Sequence, residues 1–163
     1  MNTLRELKLE SKIDNLNIVQ KFIEDICDDY NINNTFFGNI SIAISEAVKN
    51  AIIHGNKNDI TKIVVLKFKQ QSGSLIFEIS DEGNGFDIQN IKDPTEVEFD
   101  EMNGTGIYLM RSVSDGIKYL NNGSIVEISF DISSINSTIA QDRIQKLQSY
   151  SLAKPIKEVH KKD

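Results

Sequence analysis

Three short segments of this chain hold the residue types from which chemistry could be built. Glu46 and Asn50 lie four positions apart in E-A-V-K-N-A-I-I-H-G-N (46–56), Asp81 opens D-E-G-N-G-F (81–86), and Gly104, Thr105 and Gly106 open G-T-G-I-Y-L-M-R-S-V-S-D (104–115). On a helix, residues four apart project side by side. Glu46 and Asn50 would then offer a carboxylate and a carboxamide together, the oxygen ligands that magnesium prefers. The carboxylate could also take a proton from an attacking hydroxyl or water. Ala43, Ala47 and Ala51 lie close by and leave room for something bulky. Asp81 ends an apolar run and could accept a hydrogen bond from an exocyclic amine such as that of adenine, while Gly83 and Gly85 let backbone approach a ligand. A glycine-rich loop feeding a helix offers free backbone N–H groups to phosphate oxygens. In this order the segments suit a pocket for a magnesium-bound nucleotide.

Each segment alone also has an ordinary reading. Glu46, Lys49 and Asn50 could be a solvated helix face, and Asp81 with its glycines a plain turn. The Gly104–Gly106 loop lacks the Gly-Lys-Ser/Thr ending of a Walker A loop, and a third glycine comes only at Gly116, too late for the Rossmann spacing. Arg111 could reach a phosphate or pair with a surface acid. His54 reads as a helix C-terminal histidine. With no second histidine at metal-ligand spacing, zinc is not expected.

The elements that must position these residues follow from periodicity. Residues 4–9 alternate apolar and charged, which predicts a first strand. A helix capped by Asp14 or Asn15 should run to about Tyr30 with Leu16, Val19, Phe22, Ile23 and Ile26 inward. A longer helix to about Ile53 should bury Ile40, Ile44, Ala47, Val48 and Ala51, with Gly55 ending it. Strands are expected at 62–70 and 75–80 around a hairpin turn, and at 117–120 and 125–132 around Asn121-Asn122-Gly123. The polar stretch 81–103 reads as a long loop with at most a short helical turn, of a length that tends to be functional or mobile. Helix signals resume over 106–113, and a polar helix could span 137–150. These elements make an α+β domain, with helices packed on one face of a mixed sheet.

The composition excludes several classes. The 163 residues suffice for one domain with a proper core. The net charge of -6 argues against nucleic-acid binding, which needs clustered Lys and Arg. The basic cluster of Lys154, Lys157, Lys161 and Lys162 reads as a solvated tail. The single cysteine, Cys27, allows no internal disulfide and reads as a small core residue. No apolar run approaches the ~20 residues of a membrane span, and the N-terminus lacks a signal-peptide core, so a cytoplasmic protein is expected.

The three segments together resemble the GHKL superfamily of gyrase, heat-shock chaperone, histidine-kinase and MutL-type ATPases. Glu46-x-x-x-Asn50 is similar to its N box, Asp81-x-Gly83-x-Gly85 to its first glycine box and Gly104-x-Gly106 to its second. The resemblance runs from about Leu4 to Phe130. It implies the Bergerat ATP-binding fold, a two-layer α/β sandwich with a mostly antiparallel sheet, and a lid over Mg-ATP at about 94–103. The ATP-binding domain would span 1–132, and the change of character after Ser133 sets off a polar tail over 133–163, partly helical or disordered, that falls outside the family pattern.

Within the superfamily, 46–55 and 106–110 look most like the small bacterial anti-sigma factors that are serine protein kinases. That resemblance implies Glu46 as general base for an acceptor serine and Asn50 as magnesium ligand. It implies Asp81 on the adenine amine, Gly83 and Gly85 lining the adenine pocket, and Gly104, Thr105 and Gly106 on the phosphates. ATP and Mg2+ would be the cofactors, with a sigma factor and a small anti-anti-sigma protein as partners and a homodimer as the assembly. A nucleotide-dependent partner-switching module without kinase activity would need the same pocket. A sensor histidine kinase would need a phosphoacceptor histidine upstream, and none precedes His54.

Overall fold

The structure, a computed structural model, describes residues 4–85, 105–132 and 134–153. Five strands form one antiparallel sheet in the order β1 (Arg5–Glu10), β2 (Ile63–Gln71), β3 (Ser74–Ser80), β5 (Ile125–Asp131), β4 (Gly116–Leu120). All four pairings are antiparallel, so the mostly antiparallel sheet that was expected contains no parallel pair among the described residues.

Alternation decides which face of the sheet is covered. In β2, β3 and β5 every second residue is buried: Val64, Leu66 and Phe68, then Leu75, Phe77 and Ile79, then Val126, Ile128 and Phe130. Register aligns Phe68 with Phe77 and Phe77 with Ile128. Phe77 contacts Phe68 with centroids 5.1 Å apart and Phe130 at 6.0 Å, so rings link three strands at the centre of the sheet. The intervening residues, among them Lys67, Lys69, Glu78 and Glu127, lie on the other face and satisfy the two-residue period of a half-buried sheet.

Helices α1 (Leu16–Asp29) and α2 (Asn34–Asn50) supply the second layer. Val19, Ile23 and Ile26 of α1 are fully buried, while Leu16 and Phe22 pack at the edge of the core. Asn33 caps α2 by accepting the Phe36 N–H at 3.0 Å. Ile40, Ala43, Ile44, Ala47 and Val48 then form its inward stripe. Helix α3 (Thr105–Val113) lies against α2 through buried Met110 and Val113. Cys27 is buried in the core as expected, and burial pushes its thiol up to about 11, which removes it as a nucleophile near neutral pH.

Turn chemistry fixes the strand joints. Ser72 and Gly73, with φ of 52° and 77°, make the tight β2–β3 hairpin. Asn121, Asn122 and Gly123 are all left-handed, with φ of 51°, 55° and 90°, between β4 and β5. After Ile132, α4 (Ser134–Ala153) packs on α2 and α3 and is longer than the helix expected over 137–150. The Tyr108 ring of α3 meets Tyr150 with centroids 5.4 Å apart, and Arg143 pairs with Asp115 at 2.9 Å. Asp115 lies two residues past the end of α3, so α4 runs back along α3 from Arg143 near its C-terminal end to Tyr150 beside Tyr108.

Candidate nucleotide-binding site

Two corners of the fold bring the chemistry-bearing residues together. At the first, Glu46 and Asn50 sit half-buried in the last turns of α2, and Gly106 lies in the first turn of α3. A Cβ built on Gly106 would stand 2.7 Å from Oε2 of Glu46 and 3.6 and 3.7 Å from the amide atoms of Asn50. The two segments, which sequence spacing could only list in order, therefore meet at one point. Any side chain at 106 would push the carboxylate aside. The exposed Lys49 faces away.

At the second corner, Asp81 leaves β3 and is held by both neighbours. Its N–H donates to the Ser124 carbonyl at 3.0 Å, and its Oδ1 accepts the Gly83 N–H at 2.8 Å. Gly55 is packed so closely that a Cβ there would strike the Asp81 carboxylate, and a Cβ on Gly83 would strike the Gly55 carbonyl. Burial raises the Asp81 carboxyl above its ordinary range, while the Gly83 N–H and the Lys62 ammonium pull it back down. Gly85, with φ of 77°, passes against the Asn122 carbonyl.

The link between α2 and this second corner is a widened turn. Residues Ala51–Gly55 form a π-helical turn, closed by the Asn56 N–H donating to the Ala51 carbonyl at 2.8 Å. Gly55 ends the helical segment, as expected, and the left-handed residues that follow are Lys57 and Asn58. What demands glycine at 55 is the Asp81 carboxylate against its Cα, a constraint that comes from β3 and has no trace in the local sequence. The wide turn points His54 outward and Asn56 inward: His54 is exposed, and Asn56 is 1% exposed. Asn56, Ser11 and Glu82, which tie the corner together, were missed by sequence reasoning. Only the polar character of Asn56 just past an apolar helix was visible beforehand.

Of the remaining candidates, Thr105 begins α3 and Arg111 is exposed in its last turn. Gly104 and the expected lid over 94–103 lie outside the described residues. The oxygens of Glu46 and Asn50 suit a hard cation and its phosphate ligands. Glycine at 55, 83 and 106 lets these segments close on one another and on the Asp81 and Glu46 carboxylates, an approach that a side chain at any of the three would obstruct. The residues present thus fit a magnesium-bound nucleotide, with the Asn50 amide as the candidate to hold the metal and the Glu46 carboxylate beside it.

This chain belongs to the histidine kinase-like ATPase domain family, whose model matches residues 9–130. It is similar to the serine-protein kinase RsbW of Bacillus thuringiensis, 26% identical over 124 residues covering 72% of this chain and 77% of that protein. It is also similar to the anti-sigma F factor of Clostridium botulinum, 35% identical over 81 residues covering 48% of this chain and 57% of that protein. Among solved structures, the RsbU and RsbW domains of Rv1364c from Mycobacterium tuberculosis align with a TM-score of 0.55 at 14% identity, over 78% of this chain and 31% of that one. The histidine kinase domain of the blue-light activated kinase EL346 from Erythrobacter litoralis aligns with a TM-score of 0.50 at 18% identity, over 80% of this chain and 64% of that one. These likenesses show a Bergerat-type fold and agree with the family expected from the three boxes. No described helix is long and apolar enough to cross a membrane.

Proposed function

We propose that this chain is an ATP-dependent anti-sigma regulatory factor that phosphorylates a small anti-anti-sigma partner on serine. The observation that carries this reading is the meeting of Glu46, Asn50 and Gly106 at the first turn of α3. A helix N-terminus beside a metal-ligating amide and a carboxylate base is what phosphoryl transfer to a hydroxyl requires, because catalysis there is mainly positioning and charge neutralisation. The similarity to proteins named serine-protein kinase and anti-sigma F factor supports the same choice.

In this reading Asp81 accepts the adenine amine, and Gly83 and Gly85 line the base pocket. Gly104, Thr105 and Gly106 give backbone N–H groups to the phosphates. Asn50 holds the magnesium ion, which offsets phosphate charge. Glu46 takes the proton of the partner's serine hydroxyl as its oxygen attacks the γ-phosphorus. The bond from phosphorus to the bridging oxygen breaks, and ADP leaves with that electron pair. The protein acts in the cytoplasm as a homodimer, with the sigma factor as its second partner.

The test is affinity capture from the source cell's lysate, with Mg-ATP and without nucleotide, followed by mass spectrometry. A captured sigma factor, and a small partner that carries phosphoserine only with ATP, would establish the kinase. A nucleotide-dependent partner that never gains phosphate would replace it with a partner-switching module.

A further inference from the structure

We propose that Asn56 is a positioning residue for nucleotide-base selection, acting through the backbone of Glu82 on the carboxylate of Asp81. This rests on the reading of Asp81 as the acceptor for the adenine amine. Asn56 is buried, and its carboxamide is used at both ends. Its Oδ1 accepts the Glu82 N–H at 2.8 Å, and its Nδ2 donates to Ser11 Oγ at 2.9 Å and to the Ile63 carbonyl at 3.2 Å. Ser11 Oγ in turn donates to the Lys62 carbonyl at 2.8 Å.

The consequence lies in what these bonds join. Asn56 follows Gly55, whose Cα abuts the Asp81 carboxylate and whose carbonyl abuts Gly83. Glu82 follows Asp81, and its side chain accepts the Ile63 N–H. A single amide therefore locks the end of the α2 segment, the start of β2 and the residue after Asp81 into one unit. The Ser124 carbonyl holds Asp81 on its other side. With the backbone fixed on both sides and Oδ1 taken by the Gly83 N–H, the rotation of the carboxylate is set before any nucleotide arrives. Removing the acceptor leaves the Glu82 N–H without its partner, and the 81–83 turn is freed to relax. Removing Ser11 instead disturbs the far end of the network and leaves the Glu82 bond in place.

The experiment is equilibrium calorimetry of the full chain with Mg-ATP and with the magnesium complex of inosine triphosphate, which lacks the exocyclic amine. Wild type, Asn56→Ala and Ser11→Ala are compared, with thermal melting alongside. Wild type is expected to favour ATP by at least about tenfold, the strength of one hydrogen bond to a charged acceptor. Asn56→Ala should lose most of that preference. Ser11→Ala should lower the melting temperature and keep the preference. If Asn56→Ala fails to fold, Asn56→Ser, whose shorter side chain also falls short of Glu82, takes its place. Undiminished preference in the Asn56 variant, or equal loss in the Ser11 variant, overturns the proposal and leaves Asn56 a structural amide. A wild type that binds both nucleotides equally removes the Asp81 reading itself, and the role of Asn56 falls with it.

Discussion

Gly106 of α3 lies against Glu46 of α2 so closely that a Cβ on the glycine would stand 2.7 Å from the carboxylate oxygen Oε2. The atom in the way is the far end of a flexible side chain, so Gly106→Ala should cost little stability. It should instead displace the proposed base, and small misplacements of a catalytic group cost disproportionately in rate. Phosphotransfer in this variant is expected to fall by about tenfold or more with the melting temperature nearly unchanged. Unaltered transfer would show that the position of the carboxylate does not matter.

Glu46→Gln keeps the shape and removes the base. Transfer of labelled phosphate to a partner serine should be abolished, while ATP affinity measured by calorimetry largely survives, because the proposed metal ligand Asn50 and the proposed base acceptor Asp81 are untouched. Retained transfer would end the assignment of Glu46 as general base.

Gly83→Ala should behave differently from Gly106→Ala, since its Cβ would meet the Gly55 backbone carbonyl. Backbone cannot swing away, and overpacking of this kind costs about 1–3 kcal/mol. Chemical denaturation should register that loss, with nucleotide affinity reduced as well. A stability equal to wild type would mean that the 55 and 83 segments separate easily.

Asp81 predicts a pH dependence. Burial raises its carboxyl pKa above the ordinary 3.8, so the folded chain holds this proton more tightly than the unfolded chain does. Its contribution to stability is therefore full at pH below 3.8 and is lost as pH rises through the higher folded value. Asp81→Asn, which cannot ionise, should melt above wild type near neutral pH without nucleotide, and the difference should vanish in acid. The same variant should bind ATP less tightly, because a neutral acceptor makes the weaker hydrogen bond. Melting curves across pH for both proteins check the sign.

Asp115 joins two elements through its two oxygens: Oδ2 accepts the Asp131 N–H at 2.8 Å and Oδ1 accepts Arg143 of α4 at 2.9 Å. Arg143→Ala removes one partly exposed ion pair, worth about 1 kcal/mol at most. Asp115→Ala removes that pair and also the acceptor of a strand-end N–H. It should lower the melting temperature more than Arg143→Ala does, and hydrogen exchange should rise at Asp131 only in the Asp115 variant.

The amino-acid sequence by itself determined the secondary structure and the inventory of the site. Period-two runs at 63–71, 74–80 and 125–131 and the stripe Ile40, Ile44, Ala47, Val48 carry their own periodicity, and Ser72-Gly73 and Asn121-Asn122-Gly123 carry their own turn chemistry. Such signals are local, so they can be read without the fold. The carboxylate, the amide and the glycines were legible for the same reason. Tertiary structure alone decided how they meet. Gly55 is a glycine because a side chain twenty-six residues later presses on it, and Asn56 is turned inward because a π-helical turn adds a residue where an α-helix would have pointed it elsewhere. Neither constraint is local. Contacts between segments far apart in the chain leave no period and no spacing to read, and it is those contacts that bring Gly106 to Glu46 and Asn50 at one corner and Gly55 to Asp81 and Gly83 at another.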